Sequence, residues 1–379
     1  MLGYTFSLAF RGLSTYRWNN FPRVEQVTAT DNVAFSLHVA YLVARLYEAE
    51  TGTKVDIGYL YRRALYSSFS TFLHSDISNE VKQMVKAKNP EIYQKLSDVA
   101  YDRLLSWDLP DFMERDIQRY RRPDPSKVLE ERIYQFSKNW VSYQEAFASN
   151  FVYFRSFERP LDAIRERYLQ SEYADLRPLL KLDPVDHGES ERYLIAIRRL
   201  QSSFRWNHMR RTNPVSVMSH LFFIFFISYV IGNVEGLSED ETTDMMTTAL
   251  YHDIPEAITG DVITPTKKSV PGFEELLSEI EEEMLDEYLI EHIRHQPFAA
   301  ELKKRMLFPW ECAHGDLVKL ADVFSALFEA KIEVANSVEF DHVYRKIRKA
   351  LHKYSNVSVN YLFRFGVDPF EENLEEVLK

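Results

Sequence analysis

Cysteine is scarce in this 379-residue sequence, and basic residues are outnumbered by acidic ones. Cys312 is the single cysteine, which excludes an intramolecular disulfide and is typical of a reducing compartment such as the cytoplasm. Lysine and arginine number 46 against 57 aspartates and glutamates, which gives a net charge of −11. This balance argues against a nucleic-acid partner, because a phosphate backbone needs a basic face. A free nucleotide is not excluded, since one arginine and one lysine suffice to bind one phosphate.

A long apolar segment is also missing. The strongest apolar run, residues 221–231, is about half as long as a helix that spans a bilayer. We therefore expect a buried core helix there and no membrane partner. Residues 1–11 are apolar but lack a basic leading segment and a small-residue cleavage site, so no signal peptide is expected. Together with the single cysteine, these features indicate a cytoplasmic protein.

Glycine is infrequent, at 11 residues, and strand-like alternation of apolar and polar residues is hard to find. Most segments instead repeat apolar residues at three- and four-residue spacing, so the sequence predicts an all-α protein. Ser238 and Glu241 form a capping box, which predicts the start of a helix that ends near His252. A second helix is predicted to begin near Asp316. The Arg- and Asp-rich stretch 115–125, with two prolines, is predicted to be a surface loop.

Two imidazoles and two carboxylates lie on three predicted helices in a pattern suited to a metal ion. His252 and Asp253 stand at a helix end, where neighbouring side chains can turn toward a shared site. His220 lies upstream on the apolar segment, and Asp322 lies downstream within a helix. A carboxylate among small apolar neighbours is costly unless it is paired or bound to a metal. These residues predict one site for a divalent ion, with Mn, Co, Zn, Fe, Ni and Mg all left open.

The order of these ligands resembles that of the HD-domain metal-dependent phosphohydrolases. Further residues resemble the bacterial 5'-deoxynucleotidase branch of that family. They are Arg205, Trp206, Glu256, Thr259, Gly260, Asp261, Pro265 and Lys267. The resemblance covers about the C-terminal half of the chain. Met218 and Ser219 depart from it, because the family usually has an acidic residue directly before its first metal-binding histidine.

The resemblance implies a role for each of these side chains. Glu256 is then the proton-transfer group, and Asp261 contacts the sugar and the attacking water. Arg205 binds the phosphate, for which a planar guanidinium is well shaped. Trp206 crowds the C2' side of the sugar and so rejects ribonucleotides, and Lys267 is a further substrate-binding residue.

These residues together indicate an enzyme that hydrolyses a 5'-deoxynucleoside monophosphate to a nucleoside and phosphate. The alternatives are a deoxynucleoside triphosphate hydrolase, a cyclic-nucleotide phosphodiesterase and a guanosine-tetraphosphate hydrolase. Cleavage of a triphosphate would need more cations near Arg205, and only Arg210 and Arg211 are close in sequence. A non-catalytic nucleotide-sensing or scaffold module is a further alternative, against which the complete ligand set and Glu256 count.

The N-terminal half repeats the pattern of the C-terminal half without its metal ligands. The matched segments are 16–19 with 204–207, His38 with His220, 64–68 with 249–253, 136–138 with 320–322, and 145–146 with 329–330. Ser67-Ser68 then replaces the metal-binding dipeptide, and Lys138 replaces the last carboxylate. This correspondence predicts a tandem duplication in which the first copy binds no metal.

We therefore expect two HD-domain-like helical halves. A degenerate domain that lacks metal ligands is predicted at 1–181, a linker at 182–194 and a catalytic domain at 195–379. The linker segment is polar and is interrupted by proline and glycine. Because a tandem copy can supply a dimer contact within one chain, we expect an intramolecular pseudo-dimer, with further homo-oligomerisation left open.

Overall fold

A computed structural model describes residues 1–74, 77–183, 187–260 and 270–370. Across these residues the regular secondary structure is helical and includes no strand, so the all-α prediction is confirmed. Two isolated bridges, Tyr16–Thr28 and Phe204–Ser216, join short extended segments. The α-helices are α1 (Leu2–Arg11), α2 (Ala29–Thr51), α3 (Ile57–Leu73), α4 (Asn79–Lys88), α5 (Pro90–Leu105), α6 (Asp111–Tyr120), α7 (Val128–Val152), α8 (Glu158–Tyr168), α9 (Glu189–Arg198), α10 (Val217–Val234), α11 (Glu239–Tyr251), α12 (Glu256–Thr259), α13 (Phe273–Tyr288), α14 (Ala299–Leu307), α15 (Gly315–Lys331), α16 (Val338–Leu351) and α17 (Val357–Leu362).

The contacts divide the chain into two compact units. The first unit comprises Met1–Ala40, Asp56–Ala174 and Tyr354–Lys379, and the second comprises Tyr41–Val55 and Asp175–Lys353. Helix α2 therefore contributes its beginning to the first unit and its end to the second. The linear division at 182–194, the tandem duplication and the pseudo-dimer stay predictions.

Helix α10 forms the core of the second unit. Its mean hydropathy is 1.8 over 18 residues, so by length and composition alone it could cross a membrane, yet 89% of it is buried inside the protein. The predicted buried core helix at 221–231 is thus confirmed. Helix α10 packs mainly against α11 and α15. Gly232 permits the close approach of α11, because an added Cβ would lie 2.8 Å from Thr242 Oγ1.

The helix ends that carry the predicted site are where the sequence placed them. Ser238 caps α11 and makes the predicted reciprocal bonds with Glu241. Helix α11 ends at Tyr251, so His252 is its C-cap residue. Helix α15 begins at Gly315, next to the predicted start at Asp316.

The predicted surface loop at 115–125 is wrong over its first half. Helix α6 continues to Tyr120, and Met113, Ile117 and Tyr120 are buried. Their spacing of four and three residues places them on one helix face. The charged residues between them obscured this apolar pattern, so only the segment after Tyr120 leaves the helix.

Candidate active site

Three elements of the second unit bring the four predicted metal ligands together. His220 lies near the start of α10, His252 and Asp253 follow α11, and Asp322 lies in α15. His220 Nε2 is 3.2 Å from Asp322 Oδ1 and 3.6 Å from Asp253 Oδ2. His252 Nε2 is 3.2 Å from the same oxygen of Asp253. Of these four residues, His220, His252 and Asp253 each offer one donor atom within 4.8 Å of the others, a spacing that could hold a metal ion.

Both imidazoles turn their Nε2 atoms toward these carboxylates. His252 Nδ1 donates a hydrogen bond of 2.9 Å to the carbonyl of Ala249, so Nε2 carries the lone pair. His220 Nδ1 lies 2.7 Å from a carboxylate oxygen of Glu329. Neither buried Nε2 atom has a hydrogen-bond partner within the described part of the chain. Because a buried polar atom without a partner is costly, this arrangement fits a bound cation.

The carboxylates of the cluster are held in their ionised form. Burial raises the pKa of Asp253, but the neighbouring His252, His220 and Arg205 outweigh burial and hold it well below its usual range. The pKa of Asp322 is lowered as well, since the effect of burial is outweighed by the neighbouring His220, Arg205 and His252. Their side chains are 20% and 30% exposed, so both ionised groups face an opening to solvent.

Arg205 lies between the cluster of predicted metal ligands and a further buried carboxylate, Glu329. Its Nη1 lies 3.4 Å from Asp253 Oδ2, and its Nε lies 3.5 Å from Glu329 Oε2. Burial lowers the pKa of Arg205, but Glu329, Asp322, Asp253 and Glu256 more than offset this and raise it. With 15% of its side chain exposed, Arg205 presents a fixed positive charge at the edge of the site.

Glu329 contacts the predicted site residues His220 and Trp206, and the sequence patterns did not assign it a role. Its side chain is fully buried on α15, two turns after Asp322. It accepts hydrogen bonds from the Trp206 indole at 3.2 Å and the Ser325 hydroxyl at 3.2 Å, in addition to its contact with His220. The nearby positive charges exceed the effect of burial and lower its pKa. Glu329 therefore fixes the orientation of one predicted ligand and of the loop that carries Trp206.

Trp206 has an uncommon backbone conformation. Its φ is 57°, in the left-handed region that costs a residue with a side chain roughly 1 kcal/mol or more. The indole ring packs edge-on against Phe340 at 5.8 Å and donates to Glu329. The bridge between Phe204 and Ser216 closes the loop on which Trp206 stands. These contacts hold the ring beside Arg205.

A second acidic residue anchors the same loop. Glu333 is fully buried and accepts hydrogen bonds from the backbone N–H groups of Thr212 and Asn213, at 2.9 and 2.7 Å. Arg211 lies between Glu333 and Glu329, at 3.7 and 3.8 Å, and only 5% of its side chain is exposed. Arg211 is therefore committed to the support of the loop.

The remaining predicted residues divide into two groups. Glu256 begins α12 just after the His252-Asp253 pair, and its charge is among those that raise the pKa of Arg205. Asp261, Lys267 and the intervening Pro265 lie outside the described residues.

Trp310 is a further neighbour of the site that has no counterpart among the sequence predictions. The residue is 40% exposed, and the centroid of its ring lies 5.8 Å from that of His252. Lys319 Nζ lies over the same indole at 5.4 Å. A local sequence pattern does not reveal this contact, because the chain segments that carry Trp310 and His252 are far apart in sequence.

Known proteins resemble the part of the chain that holds this site. Residues 192–370 match the family described as YfbR-like, 5'-deoxynucleotidase YfbR-like. A 5'-deoxynucleotidase of Photobacterium profundum is 25% identical over 199 residues, which cover 50% of this chain and 99% of that protein. One of Yersinia pestis is 26% identical over 188 residues, covering 48% and 93%. The predicted resemblance of the C-terminal half is thus confirmed.

Two solved structures also match about half of the chain. An HD-domain phosphohydrolase from Listeria innocua is 22% identical, with a TM-score of 0.40 over 49% of this chain and 94% of that one. The cyanophage S-2L HD phosphohydrolase, bound to dA and one catalytic Zn²⁺ ion, is 22% identical, with a TM-score of 0.34 over 48% and 96%.

Proposed function

We propose that this protein is a metal-dependent phosphohydrolase that cleaves a 5'-deoxynucleoside monophosphate into a nucleoside and phosphate. The observation that carries the proposal is the convergence of His220, His252, Asp253 and Asp322 beside Arg205. This cluster lies in the segment that is similar to 5'-deoxynucleotidases. A sensing or scaffold module would have no need of two imidazole nitrogens aimed at two carboxylates. The single cysteine fits a cytoplasmic location.

The four side chains would hold one divalent ion. Two imidazoles and two carboxylates suit a borderline or hard cation, and the Nε2 atoms of His220 and His252 are buried without a hydrogen-bond partner in the described structure. When bound, the ion supplies Lewis-acid chemistry, which polarises a phosphate oxygen and acidifies water. The negative charges of Asp253 and Asp322 balance its charge.

Arg205 would bind and orient the phosphate. A guanidinium can donate two parallel hydrogen bonds to phosphate oxygens, and the one at Arg205 is already fixed by Asp253 and Glu329. Its charge also stabilises the negative charge that increases on these oxygens as the ester bond breaks. Trp206, the next residue, would pack against the C2' side of the sugar and exclude a 2'-hydroxyl. Glu256 would deliver a proton to the leaving 5'-oxygen.

A monophosphate is favoured over a triphosphate by the position of the other arginines. Arg211 is buried between Glu329 and Glu333, so it is not available to a β- or γ-phosphate. Arg210 is exposed on the same loop. The described residues therefore offer one oriented guanidinium, which matches one phosphate group.

Metal content and phosphate release test the proposal. The purified protein should release phosphate from deoxynucleoside monophosphates in a screen run with several divalent ions. Asp253→Asn removes a ligand charge at nearly constant volume, so elemental analysis should show loss of the ion and the screen should show loss of activity. Asp240→Asn, at an exposed position of α11, is the matched control and should retain both. Equal metal content in the two variants would contradict the assignment.

A further inference from the structure

The first unit contains the same supporting contacts as the candidate active site. Glu145 on α7 accepts a hydrogen bond from the Trp18 indole at 2.9 Å and pairs with Arg17 at 3.2 Å. Glu329 has an indole and a guanidinium as partners in the same way. The two tryptophans also share a left-handed backbone, with φ of 55° at Trp18 and 57° at its counterpart. The two loops therefore have closely similar internal geometry.

These contacts identify the counterpart of His220. Asn32 Nδ2 donates to Glu145 Oε1 at 2.7 Å, the same distance that separates His220 Nδ1 from Glu329 Oε1. Asn32 and His220 each stand fourteen residues after the tryptophan of their loop. The pairing of His38 with His220 that the sequence predicted is therefore corrected, since Asn32 makes the equivalent contact.

The first-unit residues that correspond to the predicted metal ligands carry a more positive net charge than those ligands do. Asn32, Ser67, Ser68 and Lys138 carry a net charge of +1, whereas the ligands of the second unit carry −2 with neutral imidazoles. A divalent cation would bring the second set to zero. The first unit thus has a positive charge at this position without any metal ion, because the ammonium of Lys138 stands where a carboxylate would bind the ion.

Two cationic side chains of the first unit contact residues of α7. Lys138 Nζ lies over the ring of Tyr134 at 5.0 Å, and the Tyr134 hydroxyl is 2.6 Å from Ser67 Oγ. Arg17 Nη2 donates to Ser142 Oγ at 3.1 Å. Ser142 is one helical turn after Lys138, so Arg17 contacts the face of α7 that carries Lys138. Both side chains are partly exposed, so an anion from solvent can reach them.

We propose that the first unit binds a phosphate group without a metal ion, through the guanidinium of Arg17, the ammonium of Lys138 and the hydroxyl of Ser67. The ligand is inorganic phosphate or the phosphate of a nucleoside monophosphate, which share this chemistry. Arginine and lysine side chains are the groups that proteins use most for phosphate. The proposal concerns residues of the first unit alone, so it stands or falls separately from the proposed hydrolysis.

Calorimetric titration of the full-length protein in EDTA tests this site. Inorganic phosphate and a deoxynucleoside monophosphate are each titrated, and the Arg205→Ala variant removes the phosphate contact of the second unit. Saturable binding should occur in the wild type and in Arg205→Ala. Lys138→Met should weaken it by at least about tenfold, the size expected for loss of one hydrogen bond to a charged group. Lys95→Met, at an exposed position of α5, is the control and should bind like the wild type.

Three results would overturn the proposal. They are the absence of saturable binding in the folded wild type, unchanged binding in Lys138→Met, and loss of binding in Arg205→Ala. Circular dichroism of each variant shows whether it is folded. Lys138→Arg keeps the positive charge and should bind the ligand better than Lys138→Met does. Tighter binding of the nucleotide than of inorganic phosphate identifies the nucleotide as the ligand, and equal binding identifies the free anion.

Discussion

Replacement of Glu329 by glutamine tests whether this side chain holds the neighbouring site residues in place. The change keeps the volume of the side chain but removes its charge. The carboxylate accepts from Trp206, Ser325 and His220, and it lies near two guanidinium groups. An amide has one acceptor oxygen, and its NH₂ group would face other donors. The loop with Trp206 and the ring of His220 should therefore lose their fixed orientation.

The distances give the expected size of the effect on stability. At 3.5 Å and an effective dielectric constant of about 20, a guanidinium and a carboxylate attract each other by about 5 kcal/mol before desolvation is counted. Arg205 retains Asp253 at 3.4 Å, and Arg211 retains Glu333 at 3.7 Å, so part of this loss is compensated. We expect Glu329→Gln to lower the free energy of unfolding by about 3 kcal/mol, the low end for breaking a buried ion pair. For a unit of this size, the Tm should fall by roughly 6–12 °C.

Glu145→Gln is the matched control, because Glu145 makes the equivalent contacts in the first unit. Both variants should lower the Tm in thermal unfolding followed by circular dichroism. Only Glu329→Gln should also weaken metal binding, by about 10- to 100-fold, as is typical when the partner of a metal-binding histidine is removed. Titration of the metal-free proteins with one divalent ion measures this difference. Equal metal affinity in the two variants would refute the role assigned to Glu329.

Substitution of Trp206 or His252 should change two different properties of the site. Trp206→Ala should raise phosphate release from ribonucleoside monophosphates relative to deoxy substrates, and equal rates on both sugars in the wild type would contradict the assigned role. Burial lowers the pKa of His252, but Asp253 more than offsets this and raises it from 6.5, so the imidazolium stabilises the metal-free protein below that pH. This contribution is lost as the pH rises through the folded-state pKa. Urea unfolding over a pH series should therefore show that the difference in the free energy of unfolding between the metal-free wild type and His252→Gln becomes smaller toward high pH.

The sequence predicted those parts of the site that depend on local pattern. The capping box at Ser238 predicted the start of α11, and Pro255 predicted its end near His252 and Asp253. It did not predict the discontinuous units, because the transfer of residues 41–55 to the second unit depends on contacts distant in sequence. Glu329 was within reach of sequence reasoning. It stands seven residues after Asp322, which places both on one face of α15.

The same supporting contacts occur in both units, whereas the residues at the predicted ligand positions differ. The comparison therefore distinguishes residues that position the loop from residues that would bind a metal ion. An indole, a guanidinium and a buried glutamate occur together around Glu145 and around Glu329. The ligand positions that the sequence pairs with this first cluster hold Ser67 and Lys138, so we expect the cluster to form without a metal ion. Its contribution is to the position of the loop and of the helix that carries the first ligand. The proposed hydrolysis then depends on what stands at the four ligand positions, and a change there alters the chemistry while the supporting contacts remain.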